Sequence, residues 1–161
     1  MSVAIAGGPT RALVAAPAKG TLQLAFEHYF DKASDALSNR FLQGLFYDAH
    51  RRFKASIKLA QDGEHAAFSE PYNPGIWRHL AMVVDDENKL LYLYVDGRKA
   101  RGSPRRYAGA LADLKPAKYY VGTSNPLAER WDMRFRGAID EVRIYGRALS
   151  AEEVRGLAHR R

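Results

Sequence analysis

Between Arg98 and Arg106 the chain sets five cations, Arg98, Lys99, Arg101, Arg105 and Arg106, within nine residues that hold no acid. Guanidinium and ammonium groups gathered on one loop attract carboxylate, sulfate or phosphate, the guanidinium as a planar fork and the ammonium as a point charge. A second basic stripe, Arg51, Arg52, Lys54 and Lys58, falls along an earlier segment. Exposed aromatic rings are the other tool for holding a sugar, because they pair an apolar face with a polar rim. Trp131 sits in the polar run Ala128-Glu129-Arg130-Trp131-Asp132, and Tyr92 and Tyr94 share one parity of the run Leu90–Val95. Trp77 starts an apolar run and reads as packing. The tyrosines form a ligand platform if their face is open and core if a helix or partner covers it.

Other chemistries lack their residues. Glycoside hydrolysis needs two carboxyl groups flanking the bond, roughly 5 to 10 Å apart. No alternating triplet of acids is present; Asp85-Asp86-Glu87 lies in a turn, and Asp140 and Glu141 are adjacent, so a regular strand aims them at opposite faces. His28, His50, His65, His79 and His159 are scattered without metal spacing. Cysteine is absent, which removes disulfides and thiolate sites. No nucleophile-elbow sequence accompanies the serines. The chain reads as non-catalytic and as needing no cofactor.

These residues require a scaffold, and the sequence describes one. Its 161 residues suffice for one domain with a sizeable core. Leu22, Leu24, Phe26, His28 and Phe30 alternate with Gln23, Ala25, Glu27 and Tyr29; Phe53, Ala55, Ile57 and Leu59 alternate with Arg52, Lys54, Ser56 and Lys58. Such period-two patterning predicts half-buried antiparallel strands. Arg40 to Tyr47 is a denser apolar run suited to a central strand, and a short strand is expected around His65 to Phe68. Asp62-Gly63 and Asp96-Gly97 suit turns with positive φ, and Asp85 to Asn88 folds Leu80–Val84 onto Leu90–Val95 as a hairpin. Near the end, Ser150 and Glu153 form a capping box flanked by Leu149 and Val154 as a hydrophobic staple, which predicts a helix of one or two turns over a sheet edge.

Four pieces in order, Trp77-Arg78-His79-Leu80-Ala81-Met82-Val83-Val84-Asp85, Leu93-Tyr94-Val95-Asp96-Gly97, Tyr120-Val121-Gly122 and the closing run Phe135 to Leu157, resemble laminin G-like domains, relatives of the concanavalin A lectins. The resemblance covers Trp77 to Leu157 closely and Gly20 to Phe46 loosely. It implies an antiparallel β-sandwich, a jelly roll, with a short C-terminal helix. It also implies that an Asp at the place of Asp140 supports loop backbone or helps hold a structural calcium. Asp140 shares parity with Val142 and Ile144 and is expected to face inward, with Asp31, Asp35 and Asp132 as further oxygen donors. Calcium takes six to eight oxygens, and no Asp-rich loop of that kind appears.

The expected organisation is an N-terminal arm or extension over residues 1–19 and a sandwich over 20–161. A net charge of +7 favours anionic partners, though no nucleic-acid motif accompanies it. The first twenty residues lack the pattern of a signal peptide, and no run reaches the roughly 20 apolar residues of a membrane span. The leading expectation is a non-catalytic recognition or structural module acting by surface contact within a larger assembly, such as a virion decoration or tail component or a secreted surface module, with protein neighbours as partners. The alternative is a lectin-like domain holding an anionic glycan with Trp131, Tyr92, Tyr94 and the loop cations; a glycosidase is the weakest alternative. An extracellular or virion-surface location fits the scaffold better than a cytoplasmic one.

Overall fold

The computed structural model describes residues 4–14, 22–23, 27–29, 43–47, 50–59, 63–109, 118–120, 137–143, 145 and 147–159. Two antiparallel sheets stack face to face. One has the order β10 (Arg105–Arg106), β8 (Leu90–Val95), β7 (Trp77–Asp85), β1 (Ala4–Val14), β12 (Gly137–Asp140), with β9 (Arg98–Lys99) also on β8. The other has the order β2 (Leu22–Gln23), β4 (Gln43–Tyr47), β5 (Arg52–Leu59), β6 (Gly63–Pro71). A further pair joins β3 (Glu27–Tyr29) to β11 (Lys118–Tyr120).

The core between the sheets follows from the alternation. Phe53, Ala55 and Ile57 of β5 meet Leu80, Met82 and Val84 of β7 and Leu91, Leu93 and Val95 of β8. Burying each Leu, Ile or Phe contributes about 1.5–3 kcal/mol before entropy is counted. Strand β7 is apolar at both parities because both its faces are covered. Its other parity, Ala81 and Val83, packs with Tyr94 beneath Leu149, Val154 and Leu157 of the C-terminal segment. The helix α1 (Ala151–His159) is therefore a third layer on the outer face of the sheet, rather than a cover for its edge. Its capping box forms as the sequence predicts: Ser150 Oγ accepts the Glu153 N–H at 3.1 Å, and Glu153 accepts the Ser150 N–H at 2.8 Å.

Other differences from the sequence reading have local causes. Residues 4–14 form an internal strand paired with both β7 and β12, so this part of the N-terminal segment belongs to the sheet. Strand β12 stops at Asp140, so the parity that would turn Asp140 inward with Val142 and Ile144 does not continue, because Glu141 takes a φ of 53° that breaks the pleat. Strand β6 runs well beyond His65–Phe68, since β5 pairs along it from Arg52 to Leu59 across one irregularity. Ser56, placed outward by parity, is fully buried and donates to Glu64.

Candidate functional site

The site is organised by the turn between β8 and β9. Val95 pairs with Arg98, leaving Asp96 and Gly97 as a two-residue loop with φ of 51° and 75°. Consecutive left-handed residues are what a tight hairpin turn needs, and Asp-Gly supplies them at little cost. The Asp96 carboxylate then fastens the turn to β7: Oδ1 accepts the His79 N–H at 3.0 Å and Oδ2 accepts Arg78 Nη1 at 2.6 Å. The Arg78 guanidinium lies 4.9 Å over the Tyr72 ring.

On the outer side, Gly97 is pressed against α1. This contact divides two clefts that share Gly97, Arg98, Lys99 and Arg155 in their walls. The first, of about 650 Å³, is floored by Tyr92 and Tyr94 and closed by Asp85 and by the helix start from Ala148 to Ala151. The two tyrosine rings stack at 6.0 Å with planes 23° apart. The second, of about 540 Å³, runs from Arg155 and His159 to Glu70, Tyr72, Arg78 and Asp96.

Electrostatics distinguish the middle from the ends. Arg98, Lys99 and Arg155 are all exposed, and among the described residues none of them forms an ion pair. The carboxylates at the ends are engaged. Asp85 accepts from the Asn88 backbone N–H at 3.0 Å and from its side-chain amide at 2.8 Å. Glu70 accepts the Tyr72 hydroxyl at 2.9 Å. Hydrogen bonding from its own backbone, helped by Tyr72 and Arg101 and opposed by partial burial, holds the Glu70 carboxyl below its usual range. Burial first, and then the bond to Glu70, push the Tyr72 phenol up to about 12. Burial also raises Tyr94, with Tyr92 adding to it.

The residues anticipated from sequence divide into groups. Arg98, Lys99, Tyr92 and Tyr94 come together at the first cleft. Tyr94 is corrected from platform to core, because α1 covers it and leaves 5% exposed; Tyr92 is half-buried and remains accessible from the cleft. Arg101, Arg105 and Arg106 are exposed but stand outside both cleft walls, with Arg105 and Arg106 paired to the β8 edge. The second basic stripe is largely occupied: Arg52 lies 4.5 Å over Phe68, and Lys54 pairs with Glu64. Trp131, Asp31, Asp35 and Asp132 lie outside the described residues.

Asp140 does not face inward. It is exposed, and its Oδ1 accepts the N–H of Glu141 at 2.9 Å, the residue whose positive φ ends the strand parity. Among the described residues no group of three or more His, Cys, Asp or Glu is placed to hold a metal ion. Asp140 is thus an exposed residue beside a break in the strand, and the further oxygen donors named for a calcium, Asp31, Asp35 and Asp132, lie outside the described residues.

Arg155, Asp85 and Tyr72 are cleft residues that sequence reasoning missed. Arg155 had a signal: it stands beside Val154 on a helix whose buried residues are Val154 and Leu157, so it lies at the border of the packed face. Tyr72 had none, because only the packing of β6 against β8 brings it to the Asp96 turn.

A family profile described as the concanavalin A-like lectin/glucanases superfamily matches residues 20–155. Among solved structures, Trypanosoma rangeli sialidase in complex with sialic acid is similar with a TM-score of 0.69 and 21% identity, over 98% of this chain and 22% of that one. The CBM40 of Ruminococcus gnavus IT-sialidase bound to α2,3-sialyllactose is similar with a TM-score of 0.65 and 12% identity, over 98% and 81% of the two chains. The native heptameric SAP-like pentraxin from Limulus polyphemus has a TM-score of 0.64 and 12% identity, over 98% and 68%. The chain spans only 22% of the length of the sialidase it matches. No curated protein matches by sequence. At these identities the structural likeness is one of fold.

Proposed function

The chain belongs to the concanavalin A-like lectin/glucanases superfamily, and from that premise we propose that it is a non-catalytic recognition module that holds an acidic glycan in the Tyr92 cleft. The observation that carries this is the set Arg98, Lys99 and Arg155, three exposed cations that form no ion pair among the described residues, around a cleft floored by stacked tyrosines. A sugar ring is placed on the accessible edge of Tyr92, and its acidic group is met by the guanidinium forks of Arg98 and Arg155 and by the Lys99 ammonium. The lectin-like alternative thereby moves ahead of the purely structural one. Two neighbours in fold support the choice of ligand, since they are described with sialic acid and with α2,3-sialyllactose.

The reading is non-catalytic for a physical reason. Among the described residues the first cleft presents one carboxylate, Asp85, and both its oxygens already accept from Asn88. Hydrolysis by the common routes needs two working carboxyl groups. Binding requires no cofactor in this scheme. Among the described residues no helix is long and apolar enough to cross a membrane, and an extracellular setting, where acidic glycans are displayed, is part of the proposal.

A glycan array spanning neutral, sialylated, uronate and sulfated structures tests it. The expected result is retention of acidic members alone, lost in Arg155→Ala. A second reading, docking on a protein neighbour in a secreted or virion assembly, is supported by the adjacent apolar residues Ile76 and Trp77, 49% and 40% exposed at the start of β7. Light scattering of native material separates the two: a large complex whose size collapses in Trp77→Ser favours docking.

A further inference from the structure

This inference rests on the acidic-glycan reading and concerns the length of the ligand. The two clefts flank one shared wall. Gly97, Arg98, Lys99 and Arg155 line both, so the clefts meet along one cationic ridge. Each cleft offers one half-buried tyrosine beyond the ridge, Tyr92 in the first and Tyr72 in the second. Asp85 lies in the first and Glu70 in the second, while Asp96, which also lines the second beside Gly97, is already paired with Arg78. Negative charge is therefore favoured at the centre and disfavoured at both ends. A single acidic sugar fills one cleft and leaves the other empty.

We infer that the module binds a polyanionic oligosaccharide of at least two acidic sugars that crosses the ridge, with one ring against Tyr92, the next against Tyr72, and the acidic groups of both above Arg98, Lys99 and Arg155. The carboxylate or sulfate of each sugar supplies the same charge, and the glycan crosses above the exposed side chains of Arg98, Lys99 and Arg155, since Gly97 itself is buried against α1. The two half-sites act as linked sites. Once the first ring is held, the second binds at a high effective concentration, so affinity rises steeply with chain length and then stops when both clefts are filled.

The experiment is calorimetric titration of the whole chain with oligogalacturonates of one, two and four sugars and, in a parallel arm, heparin-derived disaccharide and tetrasaccharide. The expected result is affinity at least tenfold greater for the two-sugar than for the one-sugar uronate; the stronger arm identifies the acidic group. Tyr72→Ala removes that gain. Because Tyr72 also packs on Phe53 at 5.6 Å, Glu70→Gln serves as a second, surface variant. It raises two-sugar affinity about threefold. Equal affinity for one and two sugars, or two-sugar binding indifferent to both variants, overturns the inference while leaving the single-cleft reading intact. Absence of binding to every acidic probe overturns both.

Discussion

Gly97 and Arg155 are in direct backbone contact: a Cβ added to Gly97 would lie 3.2 Å from Arg155 Cα and 3.0 Å from Ala158 Cβ. The turn that carries Arg98 and Lys99 is thus seated on the helix that carries Arg155. Cations far apart in sequence become one wall because a glycine has no side chain to hold them apart.

Gly97→Ala tests this seating. The residue has a φ of 75° and no room on the helix side. The left-handed conformation alone costs a residue with a side chain about 1–2 kcal/mol, and the contact adds to it. Urea unfolding is expected to show that loss, and acidic-glycan affinity is expected to fall as well, since the ridge must spread. Unchanged stability would mean that the turn and helix are not packed as described.

The charge prediction concerns Arg98 and Arg155. Each forms no ion pair among the described residues, so its replacement by Ala breaks no internal salt bridge and is expected to leave the melting temperature within a degree or two. Loss of one charged hydrogen bond costs about 1.5 kcal/mol or more, roughly tenfold in affinity. Binding should also weaken as salt rises, since exposed charges are screened over about 8 Å at physiological ionic strength. Calorimetry at two salt concentrations checks both.

The capping box positions the first cleft's rim. Ser150→Ala removes the Oγ that accepts the Glu153 N–H and is expected to cost about 1 kcal/mol. The Arg147 guanidinium and the Ser150 N–H hold the Glu153 carboxyl down at about 2, so this end of the helix stays charged through ordinary acid conditions. Thermal melts of the variant against the parent chain give the value.

The Glu70–Tyr72 pair sets two pH windows. The Glu70 carboxyl is lowered in the folded chain, so its contribution is complete above the ordinary carboxylate range and is lost as pH falls through its folded value. The Tyr72 phenol is raised to about 12 from 10.0, so its contribution is complete below pH 10 and is lost as pH rises from there toward 12. Relative to parent, Tyr72→Phe is expected to flatten the alkaline loss, and Glu70→Gln the acidic one, in stability measured across pH.

Much of the scaffold was legible because half-buried strands write their faces into alternate residues. Phe53, Ala55 and Ile57 of β5 and the Leu80–Val84 to Leu90–Val95 hairpin were read correctly from parity and turn chemistry. Ser150 and Glu153 announced the helix start, but nothing local states which surface a helix will cover. That is why Tyr94 remained ambiguous until α1 was seen above it. Whether the N-terminal segment is an arm or an added strand could not be read, since Gly7, Gly8 and Pro9 are poor strand residues and pairing of β1 on both sides overrides propensity there. The loop cations were found, and of the five Arg98 and Lys99 line the two clefts described. Their partner Arg155 comes from another element, and sequence proximity cannot supply it.

The most direct measurement is calorimetric titration of the chain and of an Arg98→Ala, Arg155→Ala double variant with α2,3-sialyllactose and with lactose. The account predicts binding of the acidic sugar, little or none of lactose, and at least a tenfold loss in a double variant that remains folded. Equal binding of the two sugars, or undiminished binding by the folded double variant, would contradict it.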